Sequence, residues 1–387
     1  MNFRDFGTLD WKVSALGFGC MRLPTLDGNP LSGKIDVAAA LRMIHHAIEQ
    51  GVNYVDTAYV YHNGNSEVVL GEALRGGYRE KVRLATKSPV WEIKGDADFD
   101  RFLNEQLRRL QTDYIDFYLL HALGRKRWRE TVLKYDLLQK AEAAIRDGRI
   151  RHLGFSFHDD YGSFPDILNG YDRWAFCQIQ YNYMDTENQA GTRGLKLAAA
   201  KGLAVVVMEP LLGGRLANPP AGIQQIINGA AVRRSPADWA LQWIWDQPEV
   251  SVVLSGMSSM AQVDSNLASA GRSRLHCYDA ADFGLIEQLR QEYRKRTVIQ
   301  CTKCNYCMPC PNGVNIPLNF EIYNDSFLHE DIPGARLRYQ LWLDETSQAT
   351  ACLTCHDCED RCPQKIAISE WMPKVGALLG KSGAQTS

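Results

Sequence analysis

Residues 51–61 read Gly51-Val52-Asn53-Tyr54-Val55-Asp56-Thr57-Ala58-Tyr59-Val60-Tyr61. A short apolar strand, Tyr54-Val55, ends in the carboxylate of Asp56, and Tyr61 follows in the next loop. Two later strands end in the same manner. Val82-Arg83-Leu84-Ala85-Thr86-Lys87 closes on a lysine, and Tyr114-Ile115-Asp116-Phe117-Tyr118-Leu119-Leu120-His121 closes on a histidine. Taken singly, each has an ordinary explanation: a capping carboxylate, a structural ion pair, a satisfied core histidine. Taken together and in this order, Asp56, Tyr61, Lys87 and His121 point to one site.

Outward from this stretch, strands and helices alternate, the pattern of a parallel α/β sheet. Residues 1–16 read as a hairpin. Leu16 to Arg22 reads as the first strand of the series, with glycines that either admit a ligand or bend the strand. Helices are expected over Asp36–Gln50, Ser66–Leu74 with Ser66 as its cap, Phe99–Leu110, Leu137–Arg146, Gly191–Lys201 and Pro236–Trp245. Strands are expected up to Ser156, around Phe176–Gln180, over the wholly apolar Ala204–Met208 and over Val250–Leu254. Eight strands with eight crossovers, complete near residue 272, predict an α/β fold of the (β/α)₈ TIM-barrel class, whose strand C-termini carry the active site. The expected domains are the barrel at 1–275, a connecting helix at 276–298, a cysteine-rich domain at 299–379 and a disordered tail at 380–387.

The 387 residues are 45% hydrophobic, enough for a barrel core with a second unit beside it. A net charge of −2 argues against nucleic acid or an anionic membrane as the main partner. No apolar run reaches the ~20 residues of a membrane helix, and Met1-Asn2-Phe3-Arg4-Asp5 is not a signal peptide. Eleven cysteines without such a signal suggest thiols kept for metal in a reducing, cytoplasmic setting.

Eight of those cysteines fall in two runs. Cys301, Cys304, Cys307 and Cys310 form C-x₂-C-x₂-C-x₂-C-P; Cys352, Cys355, Cys358 and Cys362 form C-x₂-C-x₂-C-x₃-C-P. The second has the spacing of the bacterial ferredoxin run, and the first is one residue shorter before its last cysteine. Two [4Fe–4S] clusters are expected, with structural zinc as the alternative. The runs resemble two-cluster ferredoxin domains, and the long interval between them resembles the helical ferredoxin domains of respiratory iron–sulfur subunits. That resemblance implies crossed ligation, the fourth cysteine of each run serving the other run's cluster. Cys20, Cys177 and Cys277 read as packing residues.

The order Asp56, Tyr61, Lys87, His121, with Asp56-Thr57-Ala58 and Asn65-Ser66-Glu67 around it, resembles the aldo-keto reductase family over roughly residues 3 to 272. The resemblance implies Tyr61 as proton donor, Lys87 as its partner, Asp56 as the lysine's carboxylate and His121 facing the substrate carbonyl. Tyr59 and His62 share the loop and are alternatives for the acid. It also implies an NAD(P)H cofactor, with Ser156 and Gln178 on the nicotinamide carboxamide and Ser255, Gly256, Gln262 and Asn266 around the adenosine phosphate. Here Phe157 follows Ser156 where relatives often have Asn, and Met208 stands where many stack a tyrosine. NADP-specific relatives commonly place Lys and Arg where Gly256 and Gln262 stand, so no strong preference for NADPH is expected. The function implied is hydride transfer between nicotinamide and a small carbonyl or alcohol, with clusters passing electrons to a redox partner protein. Purely structural clusters, or a nucleotide-binding redox sensor, are the other readings.

Overall fold

The computed structural model describes residues 1–30, 32–328 and 331–380. The expected disordered tail lies outside them from residue 381 onward. Ten strands are described: β1 (Phe3–Phe6), β2 (Leu9–Ser14), β3 (Leu16–Gly19), β4 (Tyr54–Asp56), β5 (Arg83–Ser88), β6 (Ile115–Leu123), β7 (Ile150–Phe157), β8 (Phe176–Gln180), β9 (Ala204–Met208) and β10 (Val250–Gly256). β3 to β10 run parallel and close into a barrel in chain order, β10 pairing with β3. Both faces of these strands are buried, which is why Ala204-Val205-Val206-Val207 needs no polar alternation.

The antiparallel pair β1–β2 closes the N-terminal end of the barrel. Phe6 is fully buried, with ring centroids 4.6 Å from Phe117 and 5.8 Å from both Tyr54 and Phe176. The hairpin turn at Gly7 has a left-handed φ of +56°, and a Cβ there would lie 2.5 Å from the backbone nitrogen of Ala204. On β3, Gly17 answers the choice left open above. A side chain would strike Leu254 Cδ2 at 2.7 Å, so this glycine makes room for core packing and not for a ligand.

Helices Val37–Glu49, Asp98–Leu110, Leu137–Arg146 and Gly191–Ala200 lie within a residue of expectation, and Asp36 caps the first through the Ala39 N–H. Ser66 corrects one expectation. It lies inside helix Asn65–Ala73, whose N-cap is the left-handed Gly64. Its hydroxyl meets Thr57 Oγ1 at 2.8 Å and donates to the Cys20 carbonyl, tying the helix to the strand ends. Strands β6, β7 and β10 each run one or two residues further than their composition suggests.

The chain divides into two compact units. One is Met1–Leu211 with Ala237–Tyr278 and holds the whole barrel sheet; the other is Leu212–Pro236 with the chain from Asp279 onward. The segment after β9 thus folds with the cysteine runs. In this second unit, helix Ala280–Arg296 starts at an Asp279–Asp282 capping box. Helices Ile316–Leu328, Ile332–Trp342 and Ile368–Leu379 pack around Phe320, Tyr339, Met372 and Val375, all fully buried. No helix among the described residues is long and apolar enough to cross a membrane.

Candidate active site and cysteine cages

The three predicted strand ends converge. Asp56 is the last residue of β4, Lys87 lies near the end of β5, and His121 lies in β6. Lys87 Nζ donates to Asp56 Oδ1 at 2.6 Å and to the Thr57 carbonyl at 2.7 Å, and both charged side chains are buried. The ammonium sits 5.0 Å from the centre of the Tyr61 ring, and Tyr61 meets His121 edge-on at 6.1 Å between centroids. Trp91 adds an indole 5.1 Å from the His121 ring. Burial pushes Lys87 below its ordinary value while Asp56 pulls it back up. Burial also raises Asp56, against the attraction of Lys87. His121 is held well below the ordinary histidine value, first by burial and then by Lys87, His158 and Arg127. A neutral imidazole results, with one N–H donor to offer.

The two other candidates in the Tyr61 loop are engaged elsewhere. Tyr59 donates to Glu105 Oε2 at 3.0 Å, with Arg109 over its ring at 4.2 Å. His62 Nε2 accepts the Leu23 N–H at 3.1 Å, and Nδ1 lies 2.6 Å from the Ser32 carbonyl. A backbone N–H can only donate and a carbonyl only accept, so the His62 proton sits on Nδ1 and both nitrogens are used.

Behind Lys87 lies a network that strand-end reading misses. Glu67 is fully buried; its Oε1 accepts from Thr86 Oγ1 at 2.7 Å and from Gln106 Nε2 at 2.6 Å. The same Gln106 amide reaches the Lys87 carbonyl at 3.0 Å, and Arg109 lies 3.3 Å from Glu67 Oε2. The only signal was Glu67 in the Asn65-Ser66-Glu67 stretch; nothing local marks Gln106 or Trp91.

Ser156 and Gln178 face each other across β7 and β8. Ser156 Oγ accepts the Ala122 N–H at 2.7 Å, which leaves its own O–H to donate. Gln178 is buried, and its Oε1 has no hydrogen-bond partner. Such an orphaned acceptor costs stability unless a donor arrives. Ser255 and Asn266 are buried and bound to each other at 2.9 Å. Gln262 Oε1 closes the turn before helix Met260–Gly271 by accepting the Ser258 N–H at 2.8 Å. A Cβ on Gly256 would lie 3.2 Å from Arg22 Cβ, and Arg22 carries a buried Nη2 without a hydrogen-bond partner. Arg22 was not foreseen as a site residue.

In the second unit the cysteines line two hollows. Cys301, Cys304, Cys307 and Cys362 surround one, walled by Pro317, Phe320 and Ile366. Cys310, Cys352, Cys355 and Cys358 surround the other, with Val314, Ile316 and Ile368. The fourth cysteine of each run therefore stands in the hollow of the other run, the short first run included. The two loops are conformational twins. Lys303 and Asn305 in one, Thr354 and His356 in the other, adopt left-handed φ of 53–64°. That backbone aims the Lys303 N–H at Cys301 Sγ and the Thr354 N–H at Cys352 Sγ, each 3.4 Å away. Among the described residues no three Cys, His, Asp or Glu side chains converge on a point fit for a single ion. Thiolates spread around a hollow suit a multi-iron cluster better than a zinc, whose four bonds of ~2.3 Å draw sulfurs together. Cys20 and Cys177 are fully buried as expected of packing residues, whereas Cys277 is half-buried.

Comparison with known proteins matches two families along the chain. The model of the "Aldo/keto reductase family" matches residues 15–290, and that of a "4Fe-4S dicluster domain" matches 300–367. The methylglyoxal reductase YeaE of Escherichia coli is 32% identical over 270 residues, covering 67% of this chain and 86% of that protein. An aldo-keto reductase of Bacillus halodurans in its holo form superimposes with TM-score 0.60 at 28% identity, covering 75% of this chain and 96% of that one. One from Klebsiella pneumoniae, in complex with NADP and acetate, gives TM-score 0.60 at 26% identity over 74% of this chain and 95% of that one.

Proposed function

Because the chain belongs to the aldo/keto reductase family, we propose that it is an NADP(H)-linked oxidoreductase of small carbonyls or alcohols, with two [4Fe–4S] clusters that exchange electrons with a redox partner protein. The observation that carries this reading is the convergence of Asp56, Lys87, Tyr61 and His121 on one buried spot at the strand ends. Bound NADPH would supply a hydride to the carbonyl carbon. Gln178 Oε1, orphaned and buried beside Ser156, fits the N–H₂ of a carboxamide, and the buried Nη2 of Arg22 fits a phosphate oxygen. A relative that binds NADP supports the same cofactor. Ser255, Gly256, Gln262 and Asn266 would shape the adenosine end.

In this reading, Tyr61 donates the proton that the developing alkoxide needs. An ammonium beside a phenol stabilises the phenolate left behind. Lys87 holds that position, and Asp56 with the Thr57 carbonyl fixes its direction. His121, kept neutral, donates one hydrogen bond to the substrate oxygen without competing for the proton. The cages would be filled in crossed fashion, Cys301, Cys304, Cys307 and Cys362 on one cluster, Cys310, Cys352, Cys355 and Cys358 on the other. The test is Tyr61→Phe with a panel of aldehydes, ketones and 2-oxoaldehydes. Turnover should fall by about 10²–10⁴-fold with dinucleotide affinity retained, since only a hydroxyl is lost. Near-normal turnover would remove Tyr61 from the chemistry.

A further inference from the structure

The chain changes its path directly after His121. β6 and β7 pair at Leu120–Phe155 and again at Leu123–Phe157, so His121 and Ala122 together stand against the single Ser156. Two residues against one is a bulge, a device that re-aims a side chain beside active sites. Ala122 takes up the extra length. Its φ is +54°, the left-handed region that an alanine enters only at a cost. Two side chains hold it there. The Ala122 N–H donates to Ser156 Oγ at 2.7 Å, and its carbonyl accepts from Arg127 Nη1 at 2.6 Å.

The local fold brings Arg127 within reach. Gly124 ends the strand in an extended conformation, and its carbonyl accepts the Trp128 N–H at 2.9 Å, closing one helical turn over Arg125–Arg127. Asp159 Oδ2 accepts the Arg125 N–H at 2.8 Å and ties that turn to the chain after β7. Trp128 is buried and anchors the turn from below. Arg127 folds back from it to the bulge. Its guanidinium also lies 5.3 Å from the centre of the Trp91 ring, the same indole that packs 5.1 Å from the His121 ring. Arg127 therefore meets His121 by two routes, the backbone of Ala122 and the face of Trp91.

We propose that Arg127 is a positioning residue for the carbonyl reaction: by holding the Ala122 carbonyl and the Trp91 indole, it aims the His121 imidazole at the substrate oxygen. The proposal rests on the reading of His121 given above. A hydrogen bond weakens steeply as it leaves the donor's line, so the one N–H of a neutral imidazole must be aimed. Were Ala122 to relax to an extended φ, the bulge would smooth out. Strand side chains alternate between faces, so the residue beside it would then turn from the site. Arginine suits the task because its planar fork stacks on an aromatic face while it donates a hydrogen bond. Its charge also joins burial, Lys87 and His158 in keeping the imidazole neutral.

The experiment follows NADPH-dependent turnover by the full-length protein, using whichever aldehyde, ketone or 2-oxoaldehyde the wild type reduces fastest. Arg127→Ala should lower kcat by about tenfold to a hundredfold, the range for a misplaced donor, with NADPH affinity unchanged by calorimetry. In Arg127→Lys, which keeps a cation and a donor without the planar fork, the loss should be smaller. In the His121→Asn background, Arg127→Ala should cost little more, since its effect runs through the imidazole. Arg129→Ala, which removes an exposed cation two residues away, should leave turnover unchanged. If Arg127→Ala does not fold, Arg127→Lys carries the same comparisons. Unchanged kcat in the Arg127 variant, beside a Tyr61→Phe that has lost turnover, overturns this inference and leaves the reductase reading intact. So does a loss of equal size in the His121→Asn background, which marks a purely structural role. Wild-type protein that reduces no carbonyl overturns both.

Discussion

The buried pair Asp56–Lys87 should weaken the fold when halved and cost it much less when both members are made neutral. Lys87→Met removes the ammonium and leaves the Asp56 carboxylate in a site where its Oδ2 already lacks a partner. Breaking a buried pair by deleting one member costs about 3–5 kcal/mol, because the remaining charge stays desolvated. Asp56→Asn in the same protein converts that charge to a neutral amide of nearly the same shape. The residual cost is then that of an unsatisfied buried polar group, about 1–3 kcal/mol. The double variant should therefore regain roughly 2 kcal/mol over Lys87→Met. The orphaned Thr57 carbonyl is common to both and cancels. Urea unfolding of the wild type, both single variants and the double variant gives the coupling energy directly. Turnover should be lost in Lys87→Met and should not return in the double variant. An additive cycle, or a double variant as unstable as Lys87→Met, would refute the argument that these charges are mutually held in a dry site. Recovery of turnover with stability would refute the role of Lys87 in the chemistry.

Three more expectations can be checked separately. Arg22→Ala should weaken dinucleotide binding by about tenfold to a hundredfold, the worth of a charge-assisted hydrogen bond. Calorimetry with NADPH and NADH will show whether the loss falls on the 2′-phosphate or on the shared diphosphate, and unchanged affinity for both removes Arg22 from the site. Cys362→Ser should damage the cluster carried by Cys301, Cys304 and Cys307; spectroscopic damage confined to the other cluster would mean that each run binds its own four cysteines. His121 lies well below its unfolded value of 6.5, so below that pH the unfolded chain gains a proton that the folded one refuses. Stability should be full above about pH 6.5 and decline as the solution is acidified, and the decline should be smaller in His121→Asn; equal slopes in urea titrations would refute it.

The barrel was legible because its strands obey a simple rule. Runs such as Ala204–Met208 are apolar throughout, as strands buried on both faces must be, and Asp56, Lys87 and His121 lie at or near the C-terminal ends of their strands. The cysteine spacing was legible because ligand positions are local in sequence. What could not be read depends on contacts between distant positions. Glu67, Thr86 and Gln106 come from a helix, a strand and another helix, and only folding makes them one network. Arg22 looked like the polar end of a strand until β10 placed Gly256 beside it. Ser66 misled for a physical reason: its composition suits a cap, but the left-handed Gly64 ended the preceding turn first, leaving the hydroxyl for Thr57 and Cys20. The segment 212–236 misled in its allegiance, since a loop between barrel elements is assigned by sequence to the barrel and by packing to the cysteine runs.

The exchange of fourth cysteines between the two hollows also sets a timetable for synthesis. The first hollow needs Cys362 and the second needs Cys352, Cys355 and Cys358, so neither has four walls until residue 358 has left the ribosome. At ~5–20 residues per second, the interval from Cys301 to Cys358 lasts about 3–11 s. Throughout that time the early thiols are made but have no complete cage to enter, while every strand of the barrel has already emerged. Iron delivery in the proposed reading would therefore have to wait for the later cysteine run. A message truncated shortly before codon 358 would yield all eight barrel strands and not one finished cage.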